Sequence, residues 1–234
     1  MSGSSKTAVE LLDDLIWELE VATSEKLPKE PSEKVAKQQG KKKGEGRPVK
    51  VEPKYPPKDV DTLHALNLRV GVITSVKKHE TADKLYCEEI DIGEEDGPRA
   101  IASGLVPHYT LEEMQNKRLI VVANLKPKNL VGFKSYGMVL CAAKLKDDGT
   151  ETVEFVDPPA DAPIGARVIA EGMEMYDPLT GAQVDKQKIF EKVAGVLRTN
   201  EETGEAEYKG AKLVVEGSGG GVCKAPTVKG GFIR

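Results

Sequence analysis

This 234-residue chain has little of what covalent or metal chemistry requires. Its three cysteines, Cys87, Cys141 and Cys223, are odd in number, far apart and form no CxxC pair. That argues against a disulfide framework and against a zinc site, and a reducing cytoplasm is the expected setting. Three histidines, His64, His79 and His108, are scattered, so no His-based triad suggests itself. His79-Glu80 is followed by Asp83 where a zincin helix needs its second His. The Gly-rich run at 217–221 lacks the GK[ST] ending of a phosphate loop and reads as a turn. No chemistry-bearing set converges. The expectation is therefore a binding protein, not an enzyme, with no metal and no cofactor. Aromatic residues make up only 5%, so base stacking cannot be the main source of any nucleic-acid affinity. No apolar run approaches the ~20 residues of a membrane span. The start, Met1 to Lys6, lacks the basic-then-apolar layout of a signal peptide.

What is present is an uneven distribution of charge. The formal net charge is −4, yet residues 1–22 set one lysine against five carboxylates. Residues 34–50 set seven basic side chains (Lys34, Lys37, Lys41, Lys42, Lys43, Arg47 and Lys50) against Glu45 alone. Within the acidic start, residues 7–22 read as an amphipathic helix: Ala8, Leu12, Leu15, Leu19 and Ala22 recur at helical spacing beside Val9 and Ile16. Thr7 and Glu10 form a capping-box pattern, and Pro28 and Pro31 stop the helix. Such a helix either packs on the chain's own core or docks a partner through Leu12, Leu15, Ile16 and Leu19. The long linker after it favours docking. Residues 23–60 hold six of the 14 prolines and most of the basic cluster. They cannot bury enough apolar surface to order themselves and read as an extended linker. That linker is either a solubilising spacer or an electrostatic arm that speeds encounter with RNA.

From Leu66 the texture changes. Leu66–Val76, Leu85–Gly93 and Arg99–Leu105 read as strands, and Thr110–Met114 as a short helix with its own capping box. Strands over Leu119–Leu125, Gly137–Ala143 and Thr152–Val156 follow, until Asp157-Pro158-Pro159 ends the run. Five or six short strands with one helix between the third and fourth is the element order of an OB-fold barrel. Past Pro163-Ile164-Gly165 a smaller α+β unit begins. It has a helix over Asp185–Leu197, a hairpin over Glu205–Val215 and a closing strand over Val222–Thr227. The expected organisation is a docking helix (1–27), a basic linker (28–62), an OB-fold (63–168) and a C-terminal domain (169–234) packed on the barrel.

The most informative stretch is Asn124-Leu125-Lys126-Pro127, followed by Ser135-Tyr136-Gly137-Met138. An apolar strand runs into a basic loop broken by Pro and Gly. The loop therefore presents lysines, an amide and a hydroxyl at a sheet edge, chemistry suited to a polyanion held through its backbone. Bland alternatives stand beside this. Asn124 can cap a turn, Ser135 can bond its own backbone, and Met138 can fill the barrel. Cys141, inside an apolar strand, reads as core.

Those segments fall in one order with 79–85 (His-Glu-Thr-Ala-Asp-Lys-Leu), Ser103-Gly104-Leu105 and 112–116 (Glu-Glu-Met-Gln-Asn). In that order they resemble the tRNA-binding domain of endothelial-monocyte-activating-polypeptide type. That domain occurs in auxiliary factors of multi-synthetase complexes and at the C-termini of some tyrosyl- and methionyl-tRNA synthetases. The resemblance covers roughly residues 64–234 and includes an extra C-terminal domain. It implies an OB-fold that binds the outside corner of tRNA with little sequence reading. It also implies a monomer, because the extra domain packs where a second subunit would sit. It carries the Ser-x-x-Met motif onto Ser135 and Met138, the amide–lysine pair onto Asn124 and Lys126, and the lysine of the first loop onto Lys84. Two departures stand out: Glu80 replaces the usual Pro, and Asn129 and Val131 hold positions often Lys and Arg, with Lys128 one place away. The expected function is a non-catalytic, cytoplasmic cofactor that holds tRNA for aminoacyl-tRNA synthetases. Its partners would be tRNA and, through the N-terminal helix, a synthetase or scaffold; no membrane is involved. The alternatives are an appendage of a tyrosyl- or methionyl-tRNA synthetase, or a secreted signalling polypeptide released by cleavage.

Overall fold

The computed structural model describes residues 62–217, 219 and 221–234. The docking helix expected at the N-terminus, with Leu12, Leu15, Ile16 and Leu19, and the expected RNA-contacting ribbon from Lys34 to Lys50 lie outside the described residues.

The described chain is mainly β. A 3-10 turn at Thr62–Ala65 leads into β1 (Leu68–Lys78), β2 (Tyr86–Asp91) and β3 (Arg99–Ser103). The short helix α1 (Leu111–Met114) follows, started by the Thr110/Glu113 capping box anticipated above. Then come β4 (Arg118–Val122), β5 (Lys128–Leu130), β6 (Phe133–Ser135), β7 (Met138–Val139), β8 (Cys141–Leu145) and β9 (Glu151–Phe155). The C-terminal part adds β10 (Val168–Ala170), α2 (Gly181–Gln187), α3 (Ile189–Ala194), β11 (Leu197–Thr199), β12 (Ala206–Tyr208), β13 (Ala211–Val215) and β14 (Phe232–Ile233).

The first sheet is antiparallel in the order β3-β2-β1-β4-β7. The Tyr136 amide donates to the Ala100 carbonyl of β3 at 2.9 Å, so the chain entering β7 returns beside β3 and the five strands nearly close. This is the OB-fold barrel. Its interior is filled by Ile73, Tyr86, Ile90, Ile101, Leu119, Val121 and Phe155, with Met114 of α1 beneath them. The apolar run of β4 has no polar face because both its faces are buried. Leu119 and Val121 point into the barrel. Ile120 and Val122, with Leu68 and Val70 of β1, back onto a second core with Val184, Ile189, Val193, Leu197 and Leu213 from the C-terminal part. A second sheet, β10-β13-β12-β11-β14-β8-β9, carries β8 of the barrel directly into C-terminal strands.

Three local readings are corrected. The loop after Pro127 contains a two-stranded hairpin, β5–β6, turned at Val131-Gly132, both with positive φ. The helix expected over 185–197 is two helices broken at Lys188, which adopts φ 51°, ψ 44°, and Leu197 already belongs to β11. The expected closing strand at 222–227 makes only isolated bridges, through Val222 and Lys224. The hairpin over β12–β13 is present, turned at Lys209-Gly210.

Candidate nucleic-acid interface

The six barrel residues expected to touch RNA divide into two groups of three. Lys84, Lys126 and Lys128 are exposed. Lys84 stands on the β1–β2 loop, Lys126 on the loop after β4, and Lys128 at the head of β5. The other three are turned inward. Asn124 accepts the Asn67 amide on Oδ1 and donates through Nδ2 to the carbonyls of Ala65 and Leu179, each at 2.8 Å. Its amide thus ties the barrel to the entering turn and to the segment before α2. Ser135 is 4% exposed. Its Oγ accepts from the Ala102 amide at 3.1 Å and donates to the Gly137 carbonyl at 3.0 Å. Met138 is partly buried against the second core.

These inward residues set the loop geometry. The end of β4 is also clamped by Arg99 of β3, which donates to the Ala123 carbonyl at 2.5 Å and the Tyr136 carbonyl at 3.0 Å. Glu94 holds that guanidinium through two hydrogen bonds of 2.5 Å, and the guanidinium in turn lowers the Glu94 carboxyl below its usual range. On the other side, α2 sits against Asn124 and Leu125: a Cβ on Gly181 would lie 3.2 Å from the Asn124 carbonyl oxygen. From α2, Asp185 reaches Lys126 at 3.5 Å, an ion pair with both side chains more than half exposed.

Near Lys84, the β1–β2 turn closes without proline. His79 Nδ1 accepts the amides of Thr81 and Ala82 at 3.2 and 3.1 Å, and the His79 amide donates to the Leu85 carbonyl at 2.9 Å. Glu80 remains exposed beside it.

The β5–β6 hairpin adds Lys134, which the sequence did not mark out. Lys128 opposes Ser135, Asn129 opposes Lys134, and Leu130 opposes Phe133. Ser135 faces the barrel, so by the two-residue period Lys134 and Asn129 face away from it. Lys134 is exposed, and its ammonium lies 5.2 Å from the Tyr136 ring centroid. A run of three residues on each side of an x-Gly pair was the available signal for this hairpin. Burial pushes the Cys141 and Cys223 thiols up to about 12 and raises that of Cys87 as well, and among the described residues no cluster suited to a metal ion is found. The surface can therefore offer ammonium groups, amides and one aromatic face to a ligand.

Comparison with known proteins points the same way. A family model described as "Putative tRNA binding domain" matches residues 68–167. Aminoacyl tRNA synthase complex-interacting multifunctional protein 1 of Cricetulus griseus is 38% identical over 209 residues, covering 86% of this chain and 54% of that protein. The tRNA-aminoacylation cofactor arc1 of Schizosaccharomyces pombe is 40% identical over 173 residues, covering 72% of this chain and 37% of that protein. The crystal structure of the C-terminal domain of Plasmodium vivax p43 superimposes with a TM-score of 0.64 at 35% identity, over 75% of this chain and all of that one. The chain thus spans about half the length, or less, of these two curated relatives.

Proposed function

This chain belongs to the tRNA-binding-domain family, and from that membership we propose that it is a non-catalytic tRNA-binding protein that holds tRNA for aminoacyl-tRNA synthetases. The observation that carries the reading is the position of the family match: residues 68–167 are the barrel, and they include Lys84, Lys126, Lys128 and Lys134. Lysines on separate loops provide point charges for phosphate without reading bases, which suits a ligand held by shape and backbone. Asn124, Ser135 and Met138 act on tRNA indirectly in this proposal, by fixing the loops that carry the lysines.

The named relatives, one a complex-interacting protein and one an aminoacylation cofactor, support a partner of synthetase type. The N-terminal amphipathic segment with Leu12, Leu15, Ile16 and Leu19 is our candidate for docking it, in a cytoplasmic setting. The Lys34–Lys50 ribbon adds a second electrostatic contact with RNA. Tethering tRNA beside the enzyme makes the productive encounter intramolecular, so the benefit is local concentration.

The test has two arms. Fluorescence anisotropy with labelled, unfractionated tRNA should show saturable binding by the full chain. Candidate synthetases captured from extract by the full chain, and lost on deleting residues 1–30, should charge tRNA at a lower tRNA KM when the chain is added. Absence of tRNA binding would overturn the reading, as would aminoacylation by the purified chain alone.

A further inference from the structure

We propose that Tyr136 is a stacking platform for an unpaired base of the bound RNA, an inference that rests on the tRNA-binding reading above. Among the described residues, only two aromatic side chains are well exposed, Tyr136 at 40% and Phe232 at 58%. The Phe232 ring is already covered by the Arg198 guanidinium, 3.9 Å from its centroid. Tyr136 instead directly follows the β5–β6 hairpin that carries Lys128 and Lys134, with the Lys134 ammonium 5.2 Å from its ring centroid.

The backbone that carries Tyr136 is fixed on every side. Its amide donates to Ala100 and its carbonyl accepts from Arg99. Before it, Ser135 is bonded to Ala102 and Gly137. After it, Gly137 is pressed so close that a Cβ would lie 3.1 Å from Ile101 Cδ1 and from the Val122 carbonyl oxygen. Met138 then enters β7 against the core. Ser135, Gly137 and Met138 are thus anchors, and the residue between the first two is the one the arrangement presents to solvent. A tyrosine so placed loses little freedom on binding: its backbone is already set, and two side-chain torsions remain.

The ligand this fits is a nucleobase with an open face, as in a loop or a flipped position of a folded RNA. Lys134, next to the ring, would meet the adjoining phosphate. Stacking is sequence-tolerant, because every base has a π-face. It therefore adds affinity without adding sequence reading, in keeping with a surface otherwise built of ammonium groups.

The test compares tRNA binding by the full chain and its Tyr136→Ala, Tyr136→Phe and Lys134→Ala variants between 50 and 200 mM KCl, with thermal melts as the folding check. Tyr136→Ala should bind about tenfold more weakly at every salt concentration, with the log–log salt slope unchanged because a ring releases no counterion. Tyr136→Phe should bind within about twofold of the parent. Lys134→Ala should weaken binding and flatten the slope. A Tyr136→Trp, Trp17→Phe double variant should lose indole emission on adding tRNA. If the parent binds tRNA and Tyr136→Ala binds equally well, the stacking inference fails while the functional reading stands. Equal loss in the Phe and Ala variants would show a hydroxyl contact instead and also overturn it. A parent that does not bind tRNA sinks both.

Discussion

Exposed lysines and inward-turned polar groups call for opposite expectations from mutation, although both occur in one short stretch of sequence. Asn124→Ala leaves three backbone groups without their partner. With each such bond worth about 1 kcal/mol, urea unfolding should show a loss of about 2–3 kcal/mol. Lys126→Ala breaks only an exposed ion pair and should change stability by less than about 0.5 kcal/mol, while costing about 1 kcal/mol of tRNA affinity. The lysines' exposure was legible in the sequence, since a charged side chain next to a proline in a loop has nowhere to be buried. The inward turn of Asn124 was not, because its acceptor Leu179 lies 55 residues away.

A further residue escaped sequence reading for the same reason. Glu88 looks like an ordinary strand carboxylate, yet it is 1% exposed, and its near neighbour is the hydroxyl of Ser103, which donates to it. Burial pushes its carboxyl up to about 8, against the opposing pull of that hydrogen bond. Between 4.5 and about 8 the folded chain keeps a proton that the unfolded chain has lost. Stability therefore falls as pH rises through that window, by at most about 1.4 kcal/mol per pH unit from this group, and levels off above it. Glu88→Gln should flatten the dependence in urea unfolding at pH 5, 6.5 and 8. Parallel curves for the two proteins would show that Glu88 does not hold its proton.

At the scale of elements, the order of strands and the capped helix before β4 followed from apolar alternation and the Thr110/Glu113 spacing. What stayed hidden were breaks that depend on unusual backbone angles. Lys188 takes a left-handed conformation and divides α2 from α3. Val131 does so at the hairpin tip, with φ 50°, where a β-branched residue is least suited. No propensity argument would choose either residue for such a position. Val131→Asn should relieve this, raising stability by about 1 kcal/mol without reducing tRNA affinity, as read from paired urea and anisotropy titrations. A loss of stability would mean that the turn does not hold this conformation in solution.

For the molecule as a whole, β4 is buried on both faces and the first half of β1 packs into both cores, and the C-terminal part supplies one of the covers. Ending the chain after Ala170 would bare Leu68, Val70, Ile120 and Val122 to water, an apolar patch of the kind that drives association. Residues 60–234 should sediment as a monomer, and residues 60–170 as dimers or aggregates. A soluble, monomeric 60–170 fragment would contradict the shared core. The resemblance already placed a C-terminal domain on the barrel; which strand faces it covers was not legible, because the apolar run of β4 does not say what its second face meets.

If exposed barrel lysines hold tRNA through its phosphates, binding must weaken with salt by a counterion for each contact, and the slope of that dependence is the measurement to make. For residues 60–234, about four phosphate contacts, one from each of Lys84, Lys126, Lys128 and Lys134, predict a log–log slope of about −2.8 by the single-strand coefficient. Replacing Lys126, Lys128 and Lys134 together by alanine should bring it to about −0.7, with an unchanged melting temperature. A slope that stays as steep in the triple variant would contradict the account and place the tRNA on another face of the molecule.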